Sequence, residues 1–467
     1  MKARVLLSTA LVPLIGAVWI AGACRAETPR TVADLVRSLT DVKAQATLGQ
    51  DPQSVAAVEL VGIGKPAVAP LAAALGHEEA GVRSRAAWAL GQIGDAAAVK
   101  PLAAVLRDPD GFVRAAAAAA LARIGAPAAA PLAAALGDGD TSLRTDAASA
   151  LGQTGHPGAV PALVRGLQDR DAEVRLASAG ALGRIPDPRA VNPLVTALSD
   201  AHHSVRRQAA WALGEMGEGA APALVGALSA PDPGARDLAT ETLAAVGSPA
   251  VTRLLAALRS QSPLVRAHAA EALGRIGDPR AFAPVSGLLK ERNDDVRARA
   301  AGALGRTGAG QAIEPLTAAI ADPSPEVRRR AARALGETGD ARAVPLLAPA
   351  AKDPDAAVRL WAVEALGTTR GPRSVELLVA ALLDADRAVR RSAADALGKV
   401  GDRSAIRPLI DAVGDSYHGV GYAANASLNR ITGYVVEIPL GWDAGTIKQY
   451  RQPLWEKWWE ANQDGKP

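Results

Sequence analysis

Apolar and small residues recur along this chain in one repeated phrase. A Val-Arg pair stands at Val82-Arg83, Val113-Arg114, Val174-Arg175, Val205-Arg206, Val265-Arg266, Val296-Arg297, Val327-Arg328, Val358-Arg359 and Val389-Arg390. Leu143-Arg144 and Ala235-Arg236 fill the two gaps, so the phrase returns every 30 or 31 residues. Each pair opens a segment of the form V-R-x-x-A-A-x-A-L-G-x-I-G, as in Val82 to Gly94. Counted from the Arg, small or apolar residues fall at −1, +3, +4 and +7, one face of a 3.6-residue helix, and this predicts burial of that face. The closing glycine, as at Gly94, Gly217 or Gly277, sits where a helix ends in a left-handed cap that only Gly adopts cheaply. A second apolar stretch follows in each period, around Pro101-Leu102 to Leu106, Pro193-Leu194 to Leu198 and Pro315-Leu316 to Ile320. Its Pro fits a first helical turn, where a backbone N–H has no intrahelical partner. The pattern predicts two helices of roughly ten residues per period, joined by short turns.

A helix pair this small cannot bury an apolar face alone and is stabilised by the pairs stacked on either side. Composition agrees, since aromatics make up only 3% of the 467 residues and the predicted cores are thin layers of Ala, Leu and Val. The expected fold is all-α, an α-solenoid of about a dozen helix pairs. Length, Val-Arg and Leu-Gly-x-x-Gly together resemble the HEAT repeats of the phycobilisome-lyase-like class, over residues 51 to 433. An Asp six residues before the Arg agrees with this, at Asp108/Arg114, Asp138/Arg144, Asp169/Arg175, Asp200/Arg206, Asp322/Arg328, Asp353/Arg359 and Asp384/Arg390. The resemblance implies that these form a ladder of charge-assisted hydrogen bonds between adjacent repeats. A phosphate groove is the other reading of the Arg row, but a row that tracks the repeat so strictly is what inter-repeat bonding requires.

The ends depart from the phrase, as a stack with two apolar end faces needs them to. Four segments are expected: a leader over 1–23, an N-terminal cap helix within 24–50, the array over 51–433 and a Trp-rich C-terminal cap over 434–467. Thr31 to Val42 carries Val32, Leu35, Val36, Leu39 and Val42 at helical spacing, and a degenerate first repeat runs from Ser54 through Gly64. The last unit keeps Asp415 but has Gly421 where Arg is expected, and ends Leu428-Asn429-Arg430-Ile431-Thr432-Gly433. Trp442, Trp455, Trp458 and Trp459 follow, and all four Tyr lie after residue 416. Similar Ile-Thr-Gly tails closing in a Trp-Trp helix occur in exported bacterial HEAT proteins. Trp455, Trp458 and Trp459 share one helical face, which predicts a greasy lid on the final repeat; a sugar or peptide platform is the functional alternative.

The leader reads Met1-Lys2-Ala3-Arg4, an apolar run from Val5 to Ala23, then Cys24-Arg25-Ala26-Glu27, the order of a secretory signal. Cys24 follows Ala21-Gly22-Ala23 and so resembles the acylated cysteine of a bacterial lipobox, although Ala21 stands where that family has Leu. Soluble cleavage after Ala23 or Ala26, and retention of the run as a membrane anchor, remain open beside lipidation at Cys24. The expected location is the periplasm or cell envelope, with membrane contact only through this lipid or anchor. As the only cysteine, Cys24 excludes an intrachain disulfide.

Charge narrows the partner. The 52 Lys and Arg are nearly matched by 48 Asp and Glu, for a formal charge of +4, so no nucleic-acid partner is demanded. Positions +1, +5 and +9 form the solvated stripe of each Val-Arg helix, which the HEAT resemblance places on the concave side. That stripe carries Trp88 and Trp211 at +5, with Trp361 at +2 and Arg207 and Arg330 nearby, against Ala119, Ser149 and Gly180 at +5 in intervening repeats. Trp and Arg are enriched at interface hot spots, so these five are the candidate binding residues; the structural alternative is that each Trp packs on its neighbouring repeat. Arg123, Arg184, Arg275, Arg306, Lys399 and Arg430 at +9 look basic, but Glu271, Asp395 and Glu337 stand four residues from Arg275, Lys399 and Arg333. What remains is a mixed, slightly basic groove suited to a protein partner.

Chemistry is sparse. His77, His156, His202, His203, His268 and His418 have no metal-ligand spacing, and His77-Glu78 is a single instance of the pair that a di-iron HEAT hydroxylase repeats. No catalytic, metal or cofactor site is assigned. The expected function is a non-catalytic scaffold for protein–protein interaction in the cell envelope, with an enzyme or enzyme subunit of the lyase-like or oxidoreductase HEAT group as the alternative.

Overall fold

The computed structural model describes residues 30–41, 51–371 and 373–462. The leader and Cys24 lie outside the described residues, as does Val42. The chain divides into two compact units after Ile124. Numbering only the long helices, the first unit holds α1 (Val32–Thr40), α2 (Pro52–Ile63), α3 (Ala80–Ile93) and α4 (Gly111–Ile124). The second holds α5 (Thr141–Thr154), α6 (Ala172–Arg184), α7 (His203–Glu215), α8 (Pro233–Val246), α9 (Pro263–Ile276) and α10 (Asp294–Thr307). It continues with α11 (Pro325–Glu337), α12 (Ala356–Thr369), α13 (Arg387–Val400), α14 (His418–Thr432), α15 (Ala444–Tyr450) and α16 (Gln452–Asn462). The fold is an all-α solenoid.

The two helices of a repeat are unequal, not about ten residues each. The Val-Arg helices run 13 or 14 residues, as in α6 and α9, whereas the second helices run six to eight, as in Val99–Ala104 and Ile406–Val413. The reason is local capping. Asp95, Asp187, Asp278, Asp340 and Asp402 each accept the N–H two residues on and wind the next three residues into a 3-10 turn. That turn uses up the start of the second apolar stretch before its α-helix begins.

The predicted face is buried: Val82, Ala86, Ala87 and Leu90 are inaccessible to solvent. So are Ala89 and Gly91, at +6 and +8, because the next Val-Arg helix packs there. A Cβ built on Gly91 would lie 2.6 Å from the Cα of Ala120, one on Gly152 2.6 Å from Ala181, and one on Gly274 2.5 Å from Ala303. The Leu-Gly glycine therefore sets how closely successive long helices approach, a role separate from that of the capping glycine. Long helices stack tightly on one another while successive short helices make few contacts. The α8 repeat is looser, with Ala244 in place of the close-approach glycine, and only Thr242 Cγ2, 4.0 Å away, near a Cβ built on Gly214 of α7.

Each terminus closes its stack with a dedicated contact. Thr31 and Asp34 form a capping box at α1, which buries Leu35 and Leu39. At the other end Trp455 of α16 is fully buried and donates from Nε1 to Asn425 Oδ1 at 2.8 Å. Asn425 in turn donates to the Val436 carbonyl at 2.7 Å, so one amide ties α14, the following segment and α16 together. Trp458 stacks on Tyr434, which meets Trp455 edge-on. Gly421 has no room for the expected Arg, since even a Cβ there would lie 2.8 Å from the Val413 carbonyl oxygen.

Candidate functional site

The arginines of the repeated phrase are committed to holding repeats together. Arg83 grips the Asp108 carboxylate through Nε and Nη2, both at 2.7 Å, and gives Nη1 to the carbonyls of His77 and Glu78. The same fork joins Arg144 to Asp169, Arg175 to Asp200, Arg297 to Asp322, Arg328 to Asp353, Arg359 to Asp384 and Arg390 to Asp415. Each Asp thus bonds the Arg of the preceding repeat through its carboxylate. The Arg six residues later takes its backbone carbonyl, as in Arg114 to Asp108 at 2.9 Å, Arg206 to Asp200 at 2.7 Å and Arg328 to Asp322 at 2.9 Å. The hydrogen bond from Arg83 holds the Asp108 carboxyl below its ordinary range. With their donors spent inside the stack, these arginines do not line a phosphate groove.

Ala230 and Ser260 stand where the ladder aspartates belong. Among the described residues Arg206 and Arg236 accordingly reach only loop carbonyls, and the Arg236 Nε is buried without a partner.

The solvated stripe is where free side chains gather. Trp88, in the first unit, is 41% exposed. In the second unit Trp211 lies over Gly183 of the preceding repeat, its Cζ3 2.5 Å from where a Cβ would be, and stays 43% exposed. Arg207 beside it reaches only to 3.8 Å from Glu241. Trp361 is half-buried beneath the Arg333 guanidinium, 4.9 Å from its ring centre. Trp211 and Trp361 therefore each pack one side on the preceding repeat and keep another open.

Four adjoining cavities run along α9 to α14 on this stripe. The first, about 390 Å³, lies between α9, α10 and α11 and is walled chiefly by Arg275, Arg299, Arg306, Arg330 and Arg333. A second of about 260 Å³ contains Trp361 and shares Arg333 and Glu337 with the first. The third, also about 260 Å³, shares Glu364 with the second. The fourth, about 610 Å³, shares Arg391 and Asp395 with the third and ends among Tyr417, His418, Tyr422 and Trp442. Shared walls set these four cavities end to end along one groove face. Arg330 and Trp361 are brought together in it; Trp211 and Arg207, on α7, are not among its walls.

The arginines of the first cavity are held by carboxylates. Glu271 accepts from Arg275 at 2.8 Å and also from Arg299, which is braced by Asp295. Burial alone would push Glu271 up, but Arg299 and then Arg275 outweigh it and keep it ionised. Glu337 accepts from Arg333 and Arg306, and Glu326 from Arg329 and Arg330. Arg330 and Arg333 spend only Nε on these bonds, at 2.6 and 2.9 Å, and among the described residues no protein acceptor meets their Nη atoms.

The stripe was visible as a spacing, but the groove was not, because a missing side chain opens it. Gly302 lines the first cavity, and the loop carrying Leu440 to Asp443 folds over the last. Gly302 at +5, beside the run Arg328-Arg329-Arg330, is the signal that marks the basic chamber. Among the described residues no three His, Cys, Asp or Glu side chains converge as a metal site, and no helix is long and apolar enough to cross a membrane.

A family profile described as HEAT repeats matches the chain in overlapping stretches from residues 50–122 through 191–259 to 346–429. No curated protein matches it by sequence. Among solved structures it is similar to the karyopherin Kap121p bound to the extreme C-terminus of the protein phosphatase Cdc14p, with TM-score 0.54 and 11% identity over 86% of this chain and 53% of that one. Kap121p bound to Ste12p gives TM-score 0.54 and 12% identity over 86% and 54%. The chain thus spans about half the length of those karyopherins, and at this identity the likeness is one of fold.

Proposed function

The chain belongs to the HEAT-repeat family, and from that premise we propose that it is a non-catalytic scaffold of the cell envelope that holds a segment of a partner protein along the α9–α14 groove. The observation that carries this reading is the row of four cavities, each sharing wall residues with the next. A row of adjoining open cavities spanning six successive long helices is longer than a small molecule, which is buried in a single enclosed pocket, and it suits an extended polypeptide. Its lining mixes Arg, Glu, Trp and Tyr, the composition of a protein-recognition surface. Kap121p, of similar fold, has been seen bound to the C-terminus of another protein. The phycobilisome-lyase-like class, export and acylation at Cys24 belong to the same proposal and rest on the repeat phrase and the Met1–Glu27 leader.

Photocrosslinking tests it. With a photoreactive amino acid placed at Thr368 or Asp395, envelope extract should yield crosslinks to a contiguous segment of one protein, while the same group at Glu314, on an exposed short helix, should not. Equal crosslinking from all three positions would remove the groove from the reading. Recovery of the chain in the cytoplasmic fraction with residues 1–23 intact would remove the envelope.

A further inference from the structure

The two ends of the groove differ in chemistry, and the difference specifies what would lie in it; this inference rests on the scaffold reading. Six arginines, Arg275, Arg299, Arg306, Arg329, Arg330 and Arg333, wall the first cavity. The carboxylates that brace them are five, Glu241, Glu271, Asp295, Glu326 and Glu337, which leaves one positive charge in excess and every guanidinium paired with at least one carboxylate. Arg330 and Arg333, three apart on one face of α11, keep their Nη groups unpaired among the described residues. Gly302 leaves space beside them, a Cβ there falling 3.7 Å from Arg330 Cδ. An incoming carboxylate would find preoriented N–H forks, the arrangement that binds carboxylates with two parallel hydrogen bonds.

The far end is apolar and aromatic. Tyr417, His418, Tyr422 and Trp442 wall the fourth cavity, and Leu440 at its lip is 96% exposed. The pocket is preformed. The Tyr422 hydroxyl donates to the Pro439 carbonyl at 2.5 Å and accepts the Trp442 N–H at 3.1 Å, pinning the loop to α14. Arg451 covers one side of Trp442, 4.6 Å from its ring centre.

We propose that the groove recognises an extended protein segment bearing a cluster of Asp or Glu, seated on Arg330 and Arg333, and an aromatic or large aliphatic side chain, seated among Tyr417, Tyr422 and Trp442. From α11 to α14 there are three helix-to-helix steps of about 8–10 Å. At roughly 3.3 Å per residue an extended chain covers that span in about eight residues. The acidic cluster belongs at one end only, because beyond the first cavity Glu364, Asp395 and Asp443 outnumber Arg391 and Lys399, which leaves no positive excess there to hold a uniformly anionic polymer such as a nucleic acid.

The test is selection of displayed random dodecapeptides on the full chain, then anisotropy titration of the labelled winners with groove variants. The expected winners carry clustered Asp or Glu about eight residues from a bulky apolar residue. Arg330→Gln with Arg333→Gln should weaken them at least tenfold, Arg330→Lys with Arg333→Lys less, and Trp442→Ala about tenfold. Replacing the peptide's Glu by Gln should reproduce the arginine loss with the protein untouched, so misfolding of a variant cannot imitate the result. Winners that lose affinity with Trp442→Ala but show no acidic enrichment would overturn this inference and leave the scaffold reading standing. Acid-rich winners indifferent to the arginine variants, or displaced fully by a single-stranded oligonucleotide, would overturn it as well. Selection that yields no binder at all would count against the scaffold reading itself and this inference with it.

Discussion

Gly274 on α9 lies so close beneath Ala303 of α10 that a Cβ added to it would fall 2.5 Å from the alanine Cα. No side chain can yield there, because the obstructing atom is backbone. Gly274→Ala therefore has to push two repeats apart, at a cost of about 1–3 kcal/mol. Gly214→Ala is the control, since its nearest neighbour would be Thr242 Cγ2 at 4.0 Å. There the helix gains roughly 0.5–1 kcal/mol from losing a glycine. Urea denaturation followed by helix signal should move the midpoint down for Gly274→Ala and leave it level or raised for Gly214→Ala; equal losses at both would mean that the α7–α8 joint is as tight as the others.

The ladder yields a stabilising change at its gap. Ser260 already accepts the Ser262 N–H at 3.2 Å, the loop bond that Asp108 makes to the Asp110 N–H at 2.9 Å, but it offers Arg236 no carboxylate. Ser260→Asp supplies one to a guanidinium whose Nε is buried and unpaired. A charge-assisted bond there is worth about 1.5–3 kcal/mol. The opposite change, Asp353→Ala, strands Arg328 and should cost roughly 3 kcal/mol. Hydrogen exchange would localise both effects, with slower exchange across α8 and α9 in the first variant and faster exchange across α11 and α12 in the second.

Much of this was legible in the residues, for a physical reason. A period repeated eleven times over reports its own geometry, so the Val-Arg face, the capping glycines and the solenoid follow from spacing alone. What spacing does not contain is the distance between repeats. That Arg83 reaches Asp108, or that Gly274 touches Ala303, depends on how one pair seats on the next. The unequal helix lengths were hidden in single capping aspartates such as Asp95. The groove was least visible, since Gly302 contributes by having no side chain and Trp442 by the fold of a loop outside the repeat.

Trp455 is the clasp of the C-terminal segment. It is fully buried, and its indole N–H is held by Asn425, which also holds Val436. Trp455→Ala removes a large buried side chain and leaves the Asn425 amide short of a partner, for a loss of about 3–5 kcal/mol. The loss should be local. Limited proteolysis is expected to cut the variant after residue 433 while the rest of the stack resists, and Trp458→Ala, which removes a half-buried ring, should be cut more slowly. Uniform sensitivity along the chain in the Trp455 variant would show instead that the whole array depends on this contact.

Two kinds of titrating group set the acid response, and their windows are separate. His268 of α9 is buried, with its Nδ1 2.9 Å from the Thr240 hydroxyl of α8. Asp237 of α8, Glu271 of α9, and Arg299 and Asp295 of α10 face it. Burial first, then Arg299, pushes its pKa below the ordinary 6.5, against the pull of the three carboxylates. The unfolded chain then takes up a proton at a pH where the folded chain does not. Stability from neutral His268 is present above 6.5 and drains away as the pH falls from there toward the lowered folded value. The ladder acts later. Asp108 is held below 3.8, mainly by its bond from Arg83, so its contribution persists until the pH drops through 3.8 and is then lost. The urea midpoint should therefore decline gently as the pH falls below 6.5 and steeply below about 4. His268→Gln should flatten the first decline and leave the second, whereas Asp108→Asn should lower the plateau and soften only the second. A wild-type midpoint that stays level from pH 7 to 5 would show that His268 titrates alike in both states, and that the α8–α9 joint opens enough to hydrate it.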